Sequence, residues 1–316
     1  MKLAEAAKPG CWGLILAGGE GTRLRPLTTR IAGDERPKQF CTILGGQTLL
    51  DRTRLRAALA ITPDRILTIV TRTHERFYRP FLAHAPSRNI IVQPENRGTA
   101  SAILYGLLRI SRMAPVDPVA VFPSDHYVSD EAAFMRHVEA AFKAVRARPE
   151  LVILLGITPD SPEVEYGWIE PADPIPVNQA LTIYRVRHFW EKPTSALAES
   201  LWSRGCLWNS FIMVASVPTL LSLIRQALPG LFQAFTEVQP LLGGPREAGA
   251  VEALYVGLPS TNFSRQVLAC RPANLAVLPV RHVRWSDWGT PHRVINTLAG
   301  IGIHPDWAEP VTAMPA

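Results

Sequence analysis

Short, uniformly apolar runs alternate with longer segments of helical spacing through the first half of the sequence, and this alternation restricts the fold more than any other feature. The runs lie at Trp12–Ala17, Ile66–Val70, Asn89–Val92, Val119–Phe122 and Leu151–Ile157. The segments with helical spacing are Leu49–Ala60, His74–Ala83, Ala100–Met113 and Glu131–Arg148. Strands that are apolar on both faces and are separated by helices are typical of a parallel sheet covered on both sides. The pattern therefore predicts an α/β fold.

The second half of the chain is less regular. Tyr166–Pro171 and Leu181–Trp190 have the composition of strands in a mixed or antiparallel part of a sheet. The stretch 160–176 is rich in proline and acidic residues, which predicts a loop over a cleft. A length of 316 residues allows two domains or one large one. Since no stretch resembles an interdomain linker, we predict one domain over residues 10–300, with an inserted subregion from about 160 and a tail at 301–316.

Composition excludes several classes of function. Basic residues outnumber acidic ones by 33 to 27, but the arginines are scattered, so we expect an ordinary surface, a basic substrate cleft and no nucleic-acid partner. Four cysteines without a CxxC pair indicate neither a zinc site nor a disulfide framework, and they favour the reducing cytoplasm. No apolar stretch approaches the ~20 residues of a membrane-spanning helix, so we expect no membrane association.

The strongest local signal is the glycine-rich stretch LILAGGEGTRLRPLTTR at residues 14–30, which contains the end of the first apolar run. Gly18, Gly19 and Gly21 allow the backbone to approach a polyphosphate and direct its N–H groups at the phosphate oxygens. Thr22 and Arg23 follow at once, and a guanidinium suits bidentate phosphate contact. The stretch matches neither a Walker A loop nor a dinucleotide fingerprint. The remaining alternative is a plain strand-to-helix turn.

A second basic element, RPKQF at residues 36–40, follows shortly after the glycine-rich stretch. Pro37 stiffens the backbone before Lys38, whose compact charge suits a phosphate. Taken alone, Lys38 would be an ordinary surface lysine. Its position so soon after the glycines favours a role in phosphate binding.

The glycine-rich stretch and the PK pair together resemble the signature GGxGTRLxPLT followed by PK of the sugar nucleotidyltransferases. Within that family, PKQF is most similar to the mannose-1-phosphate guanylyltransferase branch. Further stretches resemble the family's motifs in the same order: QPENRGTASAI at 93–103, VFPSDHYV at 121–128, EYGWIEP at 165–171, FWEKP at 189–193, WNS at 208–210 and WSDWGT at 285–290. The resemblance implies a Rossmann-like mixed, mostly parallel sheet flanked by helices, with a nucleotide-binding part at about 10–125 and a sugar-binding part at about 160–290.

The same resemblance implies a reaction. An oxygen of a sugar 1-phosphate, with mannose 1-phosphate the preferred candidate, would attack the α-phosphorus of GTP, and pyrophosphate would leave. Arg23 and Lys38 would be the catalytic residues, because they would bind the triphosphate and stabilise the transition state. Asp125 and Asp287 would hold Mg²⁺, an ion that needs few carboxylates and keeps positions open for phosphate and water.

The other site residues also follow from the resemblance. The nucleotide would contact Gly18, Gly19, Gly21, Thr22, Gln93, Arg97 and Thr99. The sugar phosphate would contact Gly167, Glu191, Lys192 and Asn209. For Glu191 and Lys192 the alternative is a solvated ion pair at the end of a strand. A homodimer is one assembly open to the chain.

Three positions depart from the pattern of the branch. Arg25 stands where the branch usually has tryptophan, Phe211 stands where glycine follows WNS, and Asn262 stands where aspartate is common. Phe211 and Asn262 fall in regions that the family uses near the sugar, so they bear on which sugar is used. The alternatives left open are transfer from dTTP to glucose 1-phosphate and a non-catalytic nucleotide-sugar sensor. Because only residues 291–316 follow Thr290, we expect neither a cupin isomerase domain nor a left-handed β-helix.

Overall fold

The computed structural model describes residues 10–308 of the chain. Within this range the strands are β1 (Trp12–Ala17), β2 (Ile66–Thr71), β3 (Ile90–Gln93), β4 (Pro118–Pro123), β5 (Tyr127–Val128), β6 (Val152–Ile157), β7 (Gly167–Asn178), β8 (Leu181–Glu191), β9 (Leu207–Ser216), β10 (Leu275–Val280) and β11 (Trp285–Ser286). The α-helices are α1 (Arg25–Ala32), α2 (Leu49–Ala58), α3 (Glu75–Leu82), α4 (Gly98–Ser111), α5 (Glu131–Ala147), α6 (Ser195–Ser203), α7 (Val217–Ala227), α8 (Pro229–Val238), α9 (Glu247–Val256) and α10 (Pro291–Ala299).

A nine-stranded sheet forms the centre of the described part of the chain, in the order β3-β2-β1-β4-β9-β6-β10-β8-β7. β1 to β4 are parallel neighbours, and β6 pairs in parallel with β10. β9 runs antiparallel to β4 and β6, and β8 runs antiparallel to β10 and β7. Only β8 and β9 therefore run against the other strands of this sheet. The predicted α/β fold with a mixed, mostly parallel sheet is confirmed.

The sheet is buried because side chains on successive strand positions enter two separate hydrophobic clusters. In β1, Ile15 belongs to one cluster and Leu14 to the other, as the alternation of side chains along a strand requires. α2 and α5 cover the first face, and α4 and α7 cover the second. The side chain of Asp130 accepts a hydrogen bond from the backbone N–H of Ala133 and so fixes the start of α5. The five apolar runs and the four helical segments of the first half are found close to their predicted bounds.

The prediction of a loop over 160–176 is wrong for most of its length, because β7 occupies Gly167–Asn178. β7 pairs with β9 at Trp168 and Ile169, whereas its proline-containing part pairs with β8 alone and forms the edge of the sheet, where a proline without an N–H is tolerated. The pairing of β7 with β8 shifts register at Pro171, Pro174 and Pro176, so the prolines are accommodated by bulges in a strand that continues. The proline content that suggested a loop marks an edge strand.

Three further predictions concern the extent of the chain and its parts. The tail at 301–316 lies within the described residues only as far as 308, where Asp306–Ala308 form a short helical turn. The division into a nucleotide-binding and a sugar-binding part stays a prediction, although one sheet contains strands from both. Among residues 10–308, no helix has the length and apolar character needed to cross a membrane.

Candidate functional site

A cavity of about 680 Å³ opens at the carboxyl ends of the parallel strands, where open α/β sheets place their ligands. Gly18 and Gly19 follow β1, Gln93 ends β3, and Asp125 follows β4, and all four residues line the cavity. Thr99, in the first turn of α4, lines it as well. The sheet topology thus brings together residues that are more than a hundred positions apart in the sequence.

The glycine-rich stretch packs so closely that two of its glycines are required by geometry. A Cβ atom on Gly18 would overlap the amide of Gln93 and the hydroxyl of Thr71. Gly21 has a φ of 60°, a backbone region that favours glycine. The Nε2 of Gln39 donates hydrogen bonds to the carbonyl oxygens of Ala17 and Gly19, at 3.0 and 2.9 Å, and so fixes the loop. Gln39 was not predicted as a site residue, although it belongs to the RPKQF element.

Gln93 and Thr99 are held by hydrogen bonds within the protein. The Nε2 of Gln93 donates to the Thr71 hydroxyl at 2.9 Å, and its Oε1 accepts from the Tyr255 hydroxyl at 3.3 Å. The Thr99 hydroxyl accepts a hydrogen bond from the backbone N–H of Phe263 at 2.9 Å. This wall of the cavity is therefore ordered before any ligand arrives.

Three predicted nucleotide contacts lie apart from the cavity wall. Gly21, Thr22 and Arg97 are not among the residues that line the cavity. The guanidinium of Arg97 donates to the carboxylate of Glu95, at 2.6 and 3.0 Å. The carbonyl oxygen of Arg97 accepts from the backbone N–H of Thr261, so the backbone of Arg97 helps to hold a residue that lines the cavity.

A small two-stranded ribbon brings the two predicted metal ligands into one region. β5 pairs antiparallel with β11, with Tyr127 opposite Ser286. Asp125 stands two residues before Tyr127, and Asp287 follows Ser286 directly. The predicted pairing of these distant aspartates therefore has a structural cause, namely the register of this ribbon.

Lys38 lies between the two aspartate segments. Its Nζ is 3.2 Å from the Oδ2 of Asp125 and donates to the carbonyl oxygens of Asp287 and Trp288, at 2.5 and 3.0 Å. The side chain is only 6% exposed. The ammonium group is thus directed at the protein, and it joins the Asp125 turn to the Asp287 turn.

Asp287 is anchored through one of its two carboxylate oxygens. Oδ1 accepts hydrogen bonds from the backbone N–H of Gly289 at 2.8 Å, from Arg293 at 3.0 Å and from the Tyr166 hydroxyl at 3.2 Å. Burial acts to raise the pKa of Asp287, but His126, Lys38 and Arg293 outweigh it and lower that pKa. Asp287 is therefore an anion at neutral pH, with its orientation set through Oδ1.

Two further residues of this region were not predicted. Arg293, on α10, bridges Asp287 and Glu163, and its guanidinium lies over the ring of Tyr166 at 4.4 Å. His126 lines the cavity beside Asp125, and burial lowers its pKa to about 4, so its imidazole is neutral at pH 7. His126 stands in the VFPSDHYV stretch, which would have identified it, whereas Arg293 lies outside every quoted motif.

Three of the predicted sugar-phosphate contacts meet at the start of β7. Gly167 pairs with Glu191 across β7 and β8, and a Cβ on Gly167 would lie 3.0 Å from the Oε2 of Glu191 and 3.2 Å from the Cβ of Asn209. Burial raises the pKa of Glu191, with Lys192 and Arg265 opposing it. The structure therefore brings Gly167, Glu191 and Asn209 together.

Glu165 links the two predicted phosphate-binding side chains at the surface. Its Oε2 lies 2.9 Å from the Nη1 of Arg23 and 3.0 Å from the Nζ of Lys192. The hydrogen bond from Lys192 is the main reason that the pKa of Glu165 is lowered. Because all three side chains are 40% exposed or more, an incoming phosphate can replace this carboxylate at little cost.

A tight glycine-rich turn after the first strand, an ordered cavity and two aspartates at the carboxyl edge of the sheet define an α/β protein of the nucleotide-binding class. The chain belongs to the nucleotidyl transferase family, whose model matches residues 12–297.

Similarity to individual proteins agrees with this family. The chain is 31% identical over 285 residues to the xanthan biosynthesis protein XanB of Xanthomonas campestris pv. campestris and 29% identical over 288 residues to mannose-1-phosphate guanylyltransferase of Escherichia coli. Each match covers 88% of this chain and 57% of the relative, so the chain spans little more than half the length of these curated relatives. A solved structure described as mannose-1-phosphate geranyltransferase from Thermus thermophilus superposes with a TM-score of 0.76 at 30% identity, covering 90% of this chain and 79% of the other.

Proposed function

We propose that this chain transfers the nucleotidyl group of GTP to mannose 1-phosphate, which yields GDP-mannose and pyrophosphate. The proposal rests on the contacts that connect the cavity, the Asp287 turn and the region of Gly167. The glycine-lined cavity contains Asp125, Lys38 joins Asp125 to the Asp287 turn, and the hydroxyl of Tyr166, beside Gly167, donates to Asp287. The similarity to mannose-1-phosphate guanylyltransferase of Escherichia coli supports GTP and mannose 1-phosphate as the substrates.

The proposed reaction is an in-line displacement at the α-phosphorus of the triphosphate. A bond forms between a phosphate oxygen of the sugar 1-phosphate and the α-phosphorus, while the bond from that phosphorus to the pyrophosphate breaks. The backbone of Gly18 and Gly19 would contact the phosphates, and Gln93 and Thr99 would line the nucleobase pocket. Arg23 and Lys192 would leave Glu165 and bind phosphate oxygens. The Gly167 region, with Glu191 and Asn209, would hold the sugar.

The donor set fits Mg²⁺. Asp287 uses Oδ1 for hydrogen bonds, and Oδ2 has no hydrogen-bond donor among residues 10–308, so one oxygen is left for an ion. Mg²⁺ is commonly held by one or two carboxylates together with substrate phosphates, and Asp125 and Asp287 would supply them. When bound, the ion would neutralise charge on the phosphates. Lys38 would act by holding the two carboxylate segments at their spacing.

A second candidate, transfer from dTTP to glucose 1-phosphate, is favoured by one observation. Phe211 and Asn262, the two departures from the guanylyltransferase pattern near the sugar, both line the cavity. In the proposed site they would lie beside the substrates, so these two departures bear on the choice of base and sugar. A sensor without catalysis is disfavoured, because Arg23, Lys38, Asp125 and Asp287 are all present.

The test is a matrix of GTP and dTTP against mannose 1-phosphate and glucose 1-phosphate, with pyrophosphate release measured in the presence and absence of Mg²⁺. We expect GTP with mannose 1-phosphate to react fastest and only with Mg²⁺. Asp125→Asn should abolish most of the rate, while Asp173→Asn, an exposed aspartate on β7, should not change it. Faster release from dTTP with glucose 1-phosphate would establish the alternative, and binding without release would establish the sensor.

The cellular setting stays a prediction. A cytoplasmic location and the absence of a nucleic-acid partner are predictions from the sequence, and a homodimer is one assembly open to the chain. Fractionation and a gel-shift assay would test the first two, and light scattering would test the third.

A further inference from the structure

Phe211 has a backbone conformation that large side chains rarely adopt. Its φ is 60°, in the left-handed region, and it shares this property with Lys192, His282 and Trp288 among the non-glycine residues that the structure describes. A bulky residue with positive φ persists only where the surrounding structure enforces it, and such residues concentrate at binding sites.

The cause is a bulge in β9. Asn209 lies opposite Gly156 and Met213 lies opposite Leu154, so three residues of β9 face one residue of β6. Phe211 is the middle residue of this bulge. Bulges of this kind are found next to active sites, where they change the direction of a side chain.

Hydrogen bonds hold the bulge on both sides of Phe211. The backbone N–H of Phe211 donates to the Oδ1 of Asn209 at 3.1 Å. The Ser210 hydroxyl donates to the carbonyl oxygen of Leu155 at 2.7 Å and accepts from the backbone N–H of Ile212 at 3.2 Å. The conformation of Phe211 is thus fixed by its neighbours and does not depend on a ligand.

Phe211 lies between two groups of candidate site residues. It lines the same cavity as Asp125, Asn262 and Arg265. Through Asn209, it is also adjacent to the group at the start of β7 that contains Gly167. A phenyl ring at this place reduces the space beside the sugar and offers no hydrogen-bonding group.

We propose that Phe211 is a specificity-determining residue that restricts the site to hexose 1-phosphates without a bulky substituent and rejects 2-acetamido hexose 1-phosphates. This inference rests on the proposed function. The flat apolar face of the ring suits the C–H face of a pyranose. An acetamido group beside the ring would lose hydrogen bonds to water and gain none. The hydrogen-bonded bulge holds the backbone of Phe211 in place.

The test compares the kcat/KM for mannose 1-phosphate with that for N-acetylmannosamine 1-phosphate, which differs from it only in the substituent at C2, at saturating GTP. We expect the wild-type ratio to exceed ~10 and to fall about tenfold or more in Phe211→Gly. Phe211→Asn, whose side chain tolerates the left-handed region, should shift the ratio in the same direction. His282→Gly is the matched control, because His282 has the same φ of 60°, is exposed and does not line the cavity, so its ratio should stay at the wild-type value.

Circular dichroism and Tm first establish that each variant folds. An unchanged ratio in both folded Phe211 variants would overturn the proposal, and so would a change in nucleotide preference without a change in sugar preference. If the wild-type protein releases no pyrophosphate with any substrate pair, the proposed function fails. The Kd values of the two sugar 1-phosphates, measured by calorimetry for the same variants, then decide the role of Phe211 separately.

Discussion

Replacing Lys38 by methionine tests whether this residue holds the Asp125 and Asp287 turns together or only contacts substrate. Methionine keeps the unbranched apolar part of the side chain and removes the ammonium group. The Asp125 carboxylate and the carbonyl oxygens of Asp287 and Trp288 then lose their shared donor. The contact between the Asp125 turn and the Asp287 turn should therefore weaken even when no substrate is present.

The size of the effect follows from the burial of the pair. Removing one member of a buried ion pair costs about 3–5 kcal/mol. The lower end applies here, because the Asp125 side chain is 26% exposed and water can partly replace the lost donor. A loss of about 3 kcal/mol corresponds to a fall of roughly 4–5 °C in Tm for a chain of 316 residues. Turnover should fall by roughly a hundredfold or more, since misplaced carboxylates no longer stabilise the transition state.

The assay is thermal unfolding without ligands, with steady-state turnover measured on the same preparations. Lys143→Met is the matched control, because Lys143 is exposed on α5, and its Tm should match that of the wild type. Equal Tm values for the two variants would refute the reasoning, since a lysine that contacts only substrate contributes nothing to the stability of the free protein.

Three other substitutions give measurable outcomes. Glu165→Gln should lower the KM for sugar 1-phosphate up to about fivefold, because an exposed ion pair worth up to ~1 kcal/mol no longer competes with the phosphate; a raised KM would contradict this. Arg293→Gln should raise the Mg²⁺ concentration for half-maximal activity about tenfold, because Asp287 loses its guanidinium partner; an unchanged Mg²⁺ dependence would contradict this. Glu170 is a buried residue of β7. Burial acts to raise its pKa, but hydrogen bonds from His188 and Arg204 lower that pKa below its usual 4.5, so its stabilising contribution is present above about pH 4.5 and is lost as the pH falls. Tm measured between about pH 6 and about pH 3 should therefore fall more steeply for the wild type than for Glu170→Gln, and parallel curves would contradict this.

The strands of the first half could be predicted because fully buried strands appear in the sequence as short, largely apolar runs. β2, with the sequence ILTIVT, is buried at every position. Most of β7 was predicted as a loop, because its prolines favour a loop when only the local sequence is considered. Whether a strand with prolines survives depends on its place at the edge of the sheet, and that place is set by long-range pairing with β8 and β9.

In the site, too, local motifs identified some residues, whereas others depend on contacts between distant parts of the chain. The motifs identified residues that line the cavity, such as Gly18, Gln93 and Asp125. The orientation of Lys38 could not be predicted, because it depends on the pairing of β5 with β11. Arg293 could not be found either, since a single arginine on a helix carries no signal without the three-dimensional position of Asp287.

The proposed reaction is transfer at the α-phosphorus of GTP, and the most direct test measures which product contains that phosphorus. The protein is incubated with Mg²⁺, mannose 1-phosphate and GTP that carries a radioactive label in the α-phosphate. We expect the label to appear in GDP-mannose, the pyrophosphate to be unlabelled, and both products to form at equal rates. Label recovered in free GDP or GMP, or retained entirely in GTP, would contradict the proposed reaction.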